Sequence, residues 1–465
     1  MAQQTQGDQR LLVVTNRLPF AFQRGPNGLE RRHAAGGLAT ALDPLMRRQG
    51  GTWLGWPGIE LRPGERLDLR DAPYGIVPLT LTDTEFNRYY HGLSNRGLWP
   101  LFHAFPSRTR FDRRDWPVYR QVNKRFAKLA LRSMREGDLV WVHDYHLMLT
   151  PAYLRRSLSE ARIAFFLHIP FPHFDVFRLL PWTRELLRGL LACNLVGFHV
   201  EAYARNFLDC AERLLDAEVD WKNWRVRSAA GETQVGAFPI GIDFESFDSR
   251  IRGNPPLEGK REGIVIGADR LDYTKGIPER ILAFERLIEK YPEHRENVVL
   301  LQVAVPSRHQ VAEYRTLKRE IEELVGRVNG RFGTAGWTPI RYLYRLLDHD
   351  RLSMLYRDAD VGLVTPLRDG MNLVAKEFVA CQPEDDPGVL VLSRLAGAAE
   401  TMRESLLVNP YHIEKTADQI HRALTLPEEE RRLRMKSLRS RERRNDVHAW
   451  VASFLAAAGA GTGAS

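Results

Sequence analysis

Short apolar runs of strand length alternate along this chain with segments of helical periodicity. This alternation is typical of parallel α/β architecture, in which each strand is followed by a covering helix. Two sets of strands are predicted, one before and one after residue 245. The predicted strands are Leu11–Thr15, Leu139–Val142, Ile163–His168 and Leu195–His199 in the first set, and Gly263–Ala268, Val298–Val303, Val361–Thr365 and Val389–Leu392 in the second.

Domain organisation follows from this division. The segment Phe238–Asp243 carries proline and glycine between the two sets, as expected of an interdomain hinge. With 465 residues, 44% of them hydrophobic, the chain can form two domains with sizeable cores. We predict a first domain over 1–244 and a second over 245–440. An apolar stripe at helical spacing predicts a helix over 441–456, and the small residues that follow predict a disordered tail over 457–465.

Composition narrows the possible partners. The formal net charge of +9 is compatible with nucleic acid, an anionic surface or acidic small substrates, but the basic residues are dispersed and no nucleic-acid-binding module accompanies them. The three cysteines lie far apart, so neither a disulfide framework nor a zinc site is predicted. The sequence lacks an apolar run of membrane-spanning length, and Met1–Arg10 lacks the pattern of a signal peptide. We expect a cytoplasmic protein that does not bind nucleic acid or membranes.

The segment Arg368–Glu377 places two carboxylates around one strand-to-helix turn. The predicted strand Val361–Thr365 precedes it, and Asn372 is a good cap for the helix that follows. The turn therefore lies where α/β sheets bind anionic ligands, at the carboxyl end of a strand and the amino end of a helix. Asp369 can accept hydrogen bonds from sugar hydroxyls, and Glu377 can reach a ribose. The sequence predicts a sugar-nucleotide site here.

A second strand-to-helix turn carries two cations. In the segment Ala268–Gly276, Arg270 and Lys275 flank the turn between the strand at Gly263 and a helix predicted to begin near Pro278. The arginine fork and the lysine point charge can converge on one diphosphate. Fixed cations there would stabilise the negative charge that grows on a leaving phosphate.

The first predicted strand is followed directly by Asn16 and Arg17. Further on, Gly36 and Gly37 precede a predicted helix over Ala39–Arg47. Glycines at a helix amino terminus let backbone N–H groups approach a phosphate without a side-chain clash.

Taken together, these motifs and their order resemble the trehalose-6-phosphate synthase family of retaining glycosyltransferases. The resemblance extends over roughly residues 11 to 455. It implies a GT-B fold, with two Rossmann-like domains facing a central cleft and a C-terminal helix that returns to the first domain. Homo-oligomers are expected by analogy with the family.

The same resemblance assigns roles to individual residues. It implies an acceptor site in which Trp53 binds the sugar, Asp144 lies near the reacting hydroxyl, and the phosphate is bound by Arg17, Tyr90, Trp99 and Arg308. The implied catalytic residues are Asp144, His168, Arg270, Lys275 and Asp369. The implied donor site comprises His168, Arg270 and Lys275 together with Gly36, Gly37, Asp369, Gly370, Met371, Asn372, Leu373, Val374 and Glu377.

The run from His143 to His146 also contains residue types that bind metals. On an extended strand, however, His143 and Tyr145 would face one side and Asp144 and His146 the other, so a compact metal site is disfavoured. We expect neither a metal nor another cofactor.

The resemblance implies transfer of glucose from a nucleoside diphosphate to glucose 6-phosphate, with retention and by front-face displacement. UDP-glucose is the default donor, and GDP-glucose remains open. Two alternatives also remain open: a sister enzyme that uses glycerol 3-phosphate or a cyclitol phosphate, and a catalytically idle sugar-phosphate sensor.

Overall fold

The computed structural model describes residues 10–25, 28–33, 37–252, 262–307 and 312–460. The chain divides into two compact units. The first comprises Met1–Pro239 and Val451–Ser465, and the second comprises Ile240–Trp450. The division thus lies five residues before the predicted boundary at 244/245, inside the hinge segment Phe238–Asp243. None of the described helices combines the length and the apolarity that a membrane span requires.

The first unit is built on a mixed sheet. Its strands are β1 (Leu11–Arg17), β2 (Phe20–Gly25), β3 (Gly28–His33), β4 (Thr52–Trp56), β5 (Gly75–Pro78), β6 (Leu139–His143), β7 (Arg162–Phe166), β8 (Leu195–Phe198), β9 (Glu218–Asp220), β10 (Arg225–Ser228) and β11 (Gly231–Ala237). Among the described residues, nine of them form one sheet in the order β5-β4-β1-β6-β7-β8-β11-β10-β9. The pairs from β5 to β11 are parallel, and β10 and β9 extend the sheet antiparallel. The strands β2 and β3 form a separate hairpin.

Helices connect the parallel strands of this unit. The α-helices are α1 (Gly37–Gln49), α2 (Asp83–Phe86), α3 (Trp99–Phe102), α4 (Asp115–Ser133), α5 (Thr150–Ser157), α6 (Phe174–Phe177), α7 (Thr183–Leu190) and α8 (Glu201–Leu215). A π-helix spans Asn87–Leu98, and 3₁₀ turns span Pro106–Arg108 and Tyr145–Leu147. Because π-helical geometry is rare and is frequently found at functional sites, the Asn87–Leu98 segment marks one region of this unit for closer inspection.

The second unit contains a six-stranded sheet in which all the described pairs are parallel. Its strands are β12 (Gly263–Arg270), β13 (Val298–Val305), β14 (Ile340–Leu343), β15 (Val361–Val364), β16 (Val389–Ser393) and β17 (Leu406–Val408), and their order is β14-β13-β12-β15-β16-β17. The four inner strands, β12, β13, β15 and β16, are buried on both faces, which explains why they appear in the sequence as continuous apolar runs.

The helices of the second unit flank this sheet. They are α9 (Phe244–Ile251), α10 (Ile277–Lys290), α11 (Ala312–Phe332), α12 (His349–Arg357), α13 (Leu373–Ala380), α14 (Ile413–Thr425) and α15 (Glu428–Arg444). Three 3₁₀ turns span Tyr273–Lys275, Pro292–His294 and Gly397–Glu400.

A last helix, α16 (Val447–Ala460), ends the described chain, and its residues from Val451 onward belong to the first unit. There the ring of Phe454 stacks on Trp141 of β6, with centroids 4.6 Å apart, and contacts Phe166 of β7 at 5.5 Å. The prediction of a helix over 441–456 therefore needs correction, because α15 and α16 meet near residue 445. The predicted disordered tail is also wrong at 457–460, where alanine favours continuation of the helix. Residues 461–465 lie outside the described residues.

All eight strands predicted from apolar runs are present in the structure, with ends shifted by one or two residues. The strand β4 and the hairpin of β2 and β3 were not among the predicted strands. In each sheet the first strand along the chain lies inside the sheet, with β1 between β4 and β6, and β12 between β13 and β15. Such switches of strand order leave a crevice at the carboxyl ends of the strands, where α/β proteins bind ligands.

Candidate active site

In the second unit, the two cations predicted to bind a diphosphate lie at the carboxyl end of β12. Arg270 is the last residue of this strand and is exposed. Lys275 ends the 3₁₀ turn Tyr273–Lys275, and α10 begins two residues later. Gly276, between Lys275 and α10, has φ +63°, and a Cβ at this position would lie 2.2 Å from the carbonyl oxygen of Thr365. This glycine therefore allows the β12 turn to pack directly against the end of β15.

At that contact Lys275 also meets the carboxylate of Asp369, from the segment Arg368–Glu377. Its Nζ donates to Oδ2 of Asp369 at 2.5 Å, and both side chains are largely buried. Asn372 Nδ2 donates to the same carboxylate oxygen at 3.0 Å. The structure thus brings together, from segments 94 residues apart, the cation and the carboxylate that the sequence analysis assigned to one donor site.

A buried arginine that the sequence analysis missed ties the ends of these strands together. Arg280 on α10 is fully buried, and it donates to Asp269 at 2.7 Å, to Thr365 at 3.0 Å and to Gln302 at 3.1 Å. Burial raises the pKa of Asp269, and the Arg280 guanidinium opposes that rise. Because the three acceptors come from or follow three adjacent strands, Arg280 fixes the strand ends that carry Arg270 and Asp369. An arginine among the apolar positions of a helix was the available signal.

The turn from Asp369 to Asn372 is held by the backbone of a neighbouring segment. Gly397 N donates to the carbonyl oxygen of Asp369 at 3.2 Å, and Ala398 N donates to that of Met371 at 2.8 Å. Gly370 packs so closely here that a Cβ on Gly397 would lie 2.1 Å from its carbonyl oxygen. Asn372, at φ 80°, accepts the N–H of Ala375 at 3.1 Å and caps α13 as predicted. The amino end of α13, with Leu373 and Val374 in its first turn, is thus placed beside the Asp369 carboxylate, where its N–H groups can face an anion.

Two ionisable residues follow on α13. Burial, and then the charge of Asp269, raise the pKa of Glu377 to about 7. Its neighbour Lys376 points into the protein and donates to Glu442 Oε2 of α15 at 2.7 Å, with both side chains almost completely buried. The helix that carries the donor motif is therefore anchored to α15 by a buried ion pair.

The first unit contains a stack of rings beneath an exposed arginine. The guanidinium carbon of Arg17, at the end of β1, lies 4.9 Å from the ring centroid of Trp56 and 5.4 Å from that of Tyr90. Phe86 is sandwiched between these rings, 4.1 Å from Trp56 and 4.7 Å from Tyr90, and Tyr90 stacks in turn on His146 at 5.5 Å. Cation–π contacts hold Arg17 in place. A fixed guanidinium beside a phenol and an indole suits a phosphorylated sugar.

Trp53, which the resemblance assigns to the acceptor sugar, does not belong to this stack. Its side chain is 1% exposed, and its indole N–H donates to Thr15 Oγ1 at 2.7 Å, so it serves the core. Trp56, three positions later on the same strand, lies beside Arg17 instead. Its Nε1 is buried and has no hydrogen-bond partner among the described residues. The alternation of side chains along β4 places positions 53 and 56 on opposite faces, and this was the signal that could have selected Trp56.

Trp99 begins α3, directly after the π-helix that carries Tyr90. It is 6% exposed, and its ring lies 4.1 Å from His103 and 5.7 Å from Tyr145. It is therefore placed under the surface rather than on it.

Three of the remaining assignments fall in or beside undescribed segments. Gly36 and Arg308, predicted for the donor and the acceptor phosphate, lie outside the described residues. Gly37 is the first residue of α1, as expected for a helix amino terminus.

Asp144 follows the end of β6 in an unusual backbone conformation. Its φ of 73° and ψ of 166° fall in a region that is essentially restricted to glycine and costs about 1–3 kcal/mol. The conformation is held by hydrogen bonds from Asp144 N to Phe166 O at 2.8 Å and from Leu147 N to Asp144 O at 3.0 Å. The carboxylate Oδ1 accepts the backbone N–H of His168 at 3.2 Å. The chain thus maintains a costly conformation that directs this carboxylate to the carboxyl edge of the sheet, beside His168.

His168 belongs to a group of imidazoles. Its Nε2 lies 3.1 Å from Nδ1 of His143, and its ring centroid lies 5.4 Å from that of His199. Burial first, and then His143 and His199, lower the pKa of His168 well below its usual value. At neutral pH His168 is therefore an uncharged hydrogen-bonding group.

The run from His143 to His146 does not continue as a strand, because β6 ends at His143 and Tyr145 starts a 3₁₀ turn. The alternation argument therefore does not apply beyond His143. Among the described residues, the group of His, Cys, Asp and Glu side chains with ligand atoms close enough for a metal ion lies elsewhere, at Glu293, His294 and His421.

Comparison with known protein families shows which family the chain belongs to. The model of glycosyltransferase family 20 matches residues 9–459, almost the whole sequence. The chain belongs to glycosyltransferase family 20. The resemblance stated from the motifs is thereby confirmed.

The relatives of this family 20 enzyme are named trehalose-phosphate synthases. One from Dictyostelium discoideum, described as UDP-forming, is 42% identical over 96% of this chain, which spans 62% of that longer protein. A UDP-forming synthase from Candida albicans is 40% identical, with 96% of both chains covered. A trehalose-6-phosphate synthase from Mycobacterium sp. is 42% identical and covers 97% of this chain. The family 20 chain is accordingly a glycosyltransferase of the trehalose-phosphate synthase group.

Solved structures support the same assignment. A synthase from Burkholderia xenovorans in complex with glucose-6-phosphate superimposes with a TM-score of 0.89 at 36% identity, covering 97% of this chain and 100% of the other. An E. coli enzyme bound with UDP-2-fluoro glucose gives a TM-score of 0.90 at 36% identity, covering 97% and 99%. The predicted GT-B fold class of this family 20 enzyme is confirmed by these neighbours.

Proposed function

We propose that this enzyme transfers glucose from UDP-glucose to the anomeric hydroxyl of glucose 6-phosphate, with retention, to form α,α-trehalose 6-phosphate and UDP. The observation that carries the proposal is the junction of Lys275 with Asp369 at the switch point of the second sheet. A cation for a diphosphate and a carboxylate for sugar hydroxyls are held 2.5 Å apart there, beside a helix amino terminus.

The names of the relatives favour this donor and this acceptor. Several are UDP-forming, one solved neighbour is a complex with glucose-6-phosphate, and another contains a fluorinated UDP-glucose. In the first unit, Arg17 over the rings of Trp56 and Tyr90 supplies a fixed positive charge and N–H and O–H donors, which suits a hexose phosphate better than an uncharged acceptor.

In the proposed reaction, the bond between C1 of the donor glucose and the β-phosphate oxygen breaks. Negative charge grows on that oxygen, and Arg270 and Lys275 stabilise it. An ammonium has three N–H donors, so Lys275 can bond Asp369 and a phosphate oxygen at the same time. The acceptor hydroxyl oxygen bonds C1 on the same face, and its proton passes to the departing phosphate.

Asp369 holds the donor hydroxyls and Glu377 holds the ribose. Asp144 and the neutral His168 orient the reacting sugars. Catalysis then rests on positioning and electrostatic stabilisation. The proposal assigns no step to a metal ion or to another cofactor.

The test measures release of UDP from UDP-glucose and of GDP from GDP-glucose, each with glucose 6-phosphate, with glycerol 3-phosphate and without acceptor. Proton NMR of the product gives the configuration of both anomeric centres. We expect UDP release that depends on glucose 6-phosphate and a phosphorylated disaccharide with two α-linked anomeric protons. Release only with glycerol 3-phosphate would assign a different acceptor, and donor binding without release in any mixture would indicate a sensor.

A matched pair of variants ties the activity to the site. Lys275→Met removes the cation beside Asp369, whereas Lys290→Met removes a lysine from the far end of the same helix, where it pairs with Asp418. The first variant should lose turnover and the second should retain it. Equal activity in both would contradict the assigned role of Lys275.

A further inference from the structure

Three potential metal ligands meet in the second unit, away from the residues assigned to catalysis. Glu293 and His294 belong to the 3₁₀ turn that follows α10, and His421 lies on α14. One ligand atom from each side chain can be chosen so that all three lie within 4.8 Å of one another. We propose that Glu293, His294 and His421 form a binding site for a divalent transition-metal ion such as Zn²⁺.

The chemistry of the three side chains selects this class of ion. Two imidazoles and one carboxylate are ligands that zinc uses with tetrahedral geometry, with water as a fourth ligand. Magnesium and calcium prefer sites made of oxygen atoms alone. Nickel and copper also bind imidazole, so the proposal concerns the borderline-soft divalent ions as a class.

The distances require only small movements for binding. His294 Nε2 and His421 Nδ1 are 2.9 Å apart, and His421 Nδ1 is 3.8 Å from Glu293 Oε1. Ligand atoms about 2.05 Å from a tetrahedral zinc ion lie about 3.3 Å from one another. The two nitrogens would therefore separate slightly and the carboxylate would approach. Glu293 is exposed and has the freedom to do so.

The two histidines are already oriented. The ring of His421 stacks on Tyr291 with centroids 3.8 Å apart and planes 2° from parallel, and the Tyr291 hydroxyl donates to Asp418 at 3.0 Å. His294 is buried, and its Nε2 faces His421 Nδ1, so the two nitrogens converge where a metal ion would bind. In the present contact one ring donates its N–H to the other. Metal binding would place that proton on the donor ring's other nitrogen.

The position of the cluster predicts what binding would do. Lys275 lies two residues before α10, and the cluster follows the other end of this helix; a helix of 14 residues is about 21 Å long. A metal at the cluster would link the end of α10 to α14 without touching the donor residues. It should therefore stabilise the second unit and leave turnover unchanged, because an ion that binds only the folded state stabilises it.

The experiment uses the full chain without an affinity tag, freed of metal by a chelator and dialysed. Titration with ZnCl₂ by calorimetry should show one saturable site, Co²⁺ should give the visible absorption of a four-coordinate ion, and zinc should raise the melting temperature. Glu293→Gln should weaken binding by about tenfold or more, and His421→Gln should abolish it.

His412→Gln is the matched control, because it removes an exposed histidine from the start of the same helix α14. It should retain zinc binding and the zinc-dependent shift in melting temperature. Since His294 is buried, the partly exposed His421 is the decisive position, and circular dichroism verifies that its variant is folded. Absence of saturable binding by the wild type, or undiminished binding by folded His421→Gln, would overturn the proposal.

Discussion

Replacing Glu442 by glutamine should destabilise the second unit through its partner Lys376. The pair is 2.7 Å apart, with side-chain exposures of 2% and 1%. At an effective dielectric constant of about 20, two charges at this distance attract by about 6 kcal/mol, and burial of both charges offsets several kcal/mol of that gain. Glu442→Gln removes the attraction but leaves the ammonium buried, so we expect a loss of about 3–5 kcal/mol in the free energy of unfolding.

The same reasoning predicts strong coupling between the two positions. Lys376→Met alone leaves a buried carboxylate and should cost a similar amount, whereas Lys376→Met with Glu442→Leu removes both charges. The double variant should recover most of the stability, because an apolar pair of similar volume often replaces a buried ion pair at little cost.

Hydrogen exchange followed by mass spectrometry is the appropriate assay, because a chain with two units need not unfold in one step. Peptides from α13 and α15 report the opening free energy of this region, and peptides from β6 in the first unit serve as the internal control. A loss below about 1 kcal/mol in Glu442→Gln, or a double variant no more stable than the single ones, would refute the argument.

Three further predictions concern the site residues. Trp56→Leu should raise the KM for glucose 6-phosphate, whereas Trp53→Leu should lower the unfolding free energy by about 3 kcal/mol or more and leave that KM unchanged; steady-state kinetics separates the two variants, and urea unfolding verifies that both are folded. Lys275→Met should lower kcat by about 10²–10³-fold with an unchanged KM for the acceptor, as measured by UDP release; a change in that KM alone would place this lysine elsewhere. The Glu377 pKa is raised from 4.5 to about 7, so the folded state binds this proton more tightly than the unfolded chain and stability falls by about 3 kcal/mol as the pH rises through that interval. Glu377→Gln should lack this component in unfolding experiments at pH 5 and pH 8, and parallel curves for the two proteins would contradict the assignment.

Strands could be predicted from the sequence where burial on both faces determines the residue pattern. Parallel strands buried on both faces, such as β13 and β16, are continuous apolar runs and were found directly. The strand β4 was missed because its tryptophans suggested a binding motif rather than a strand. The hairpin of β2 and β3 was missed because its polar residues resemble a loop. The extent of α16 was misjudged because small residues suit both a disordered tail and a helix.

Some features of the candidate site could be predicted from the sequence, and others could not. A motif that lies on a single turn, such as the one from Asp369 to Glu377, could be predicted because its residues are close in the sequence and their arrangement depends on local backbone structure. The choice between Trp53 and Trp56 depends on which face of β4 meets Arg17, and the role of Arg280 depends on three strand ends that only the folded chain brings together.

The backbone at Asp144 has a consequence for how this position tolerates mutation. Glycine would adopt φ 73° without the penalty that aspartate incurs, so Asp144→Gly relieves strain while it removes the carboxylate. Selection for a more heat-resistant protein and selection for turnover would thus favour different residues at one position. Libraries screened for thermal resistance alone would be expected to enrich inactive clones there.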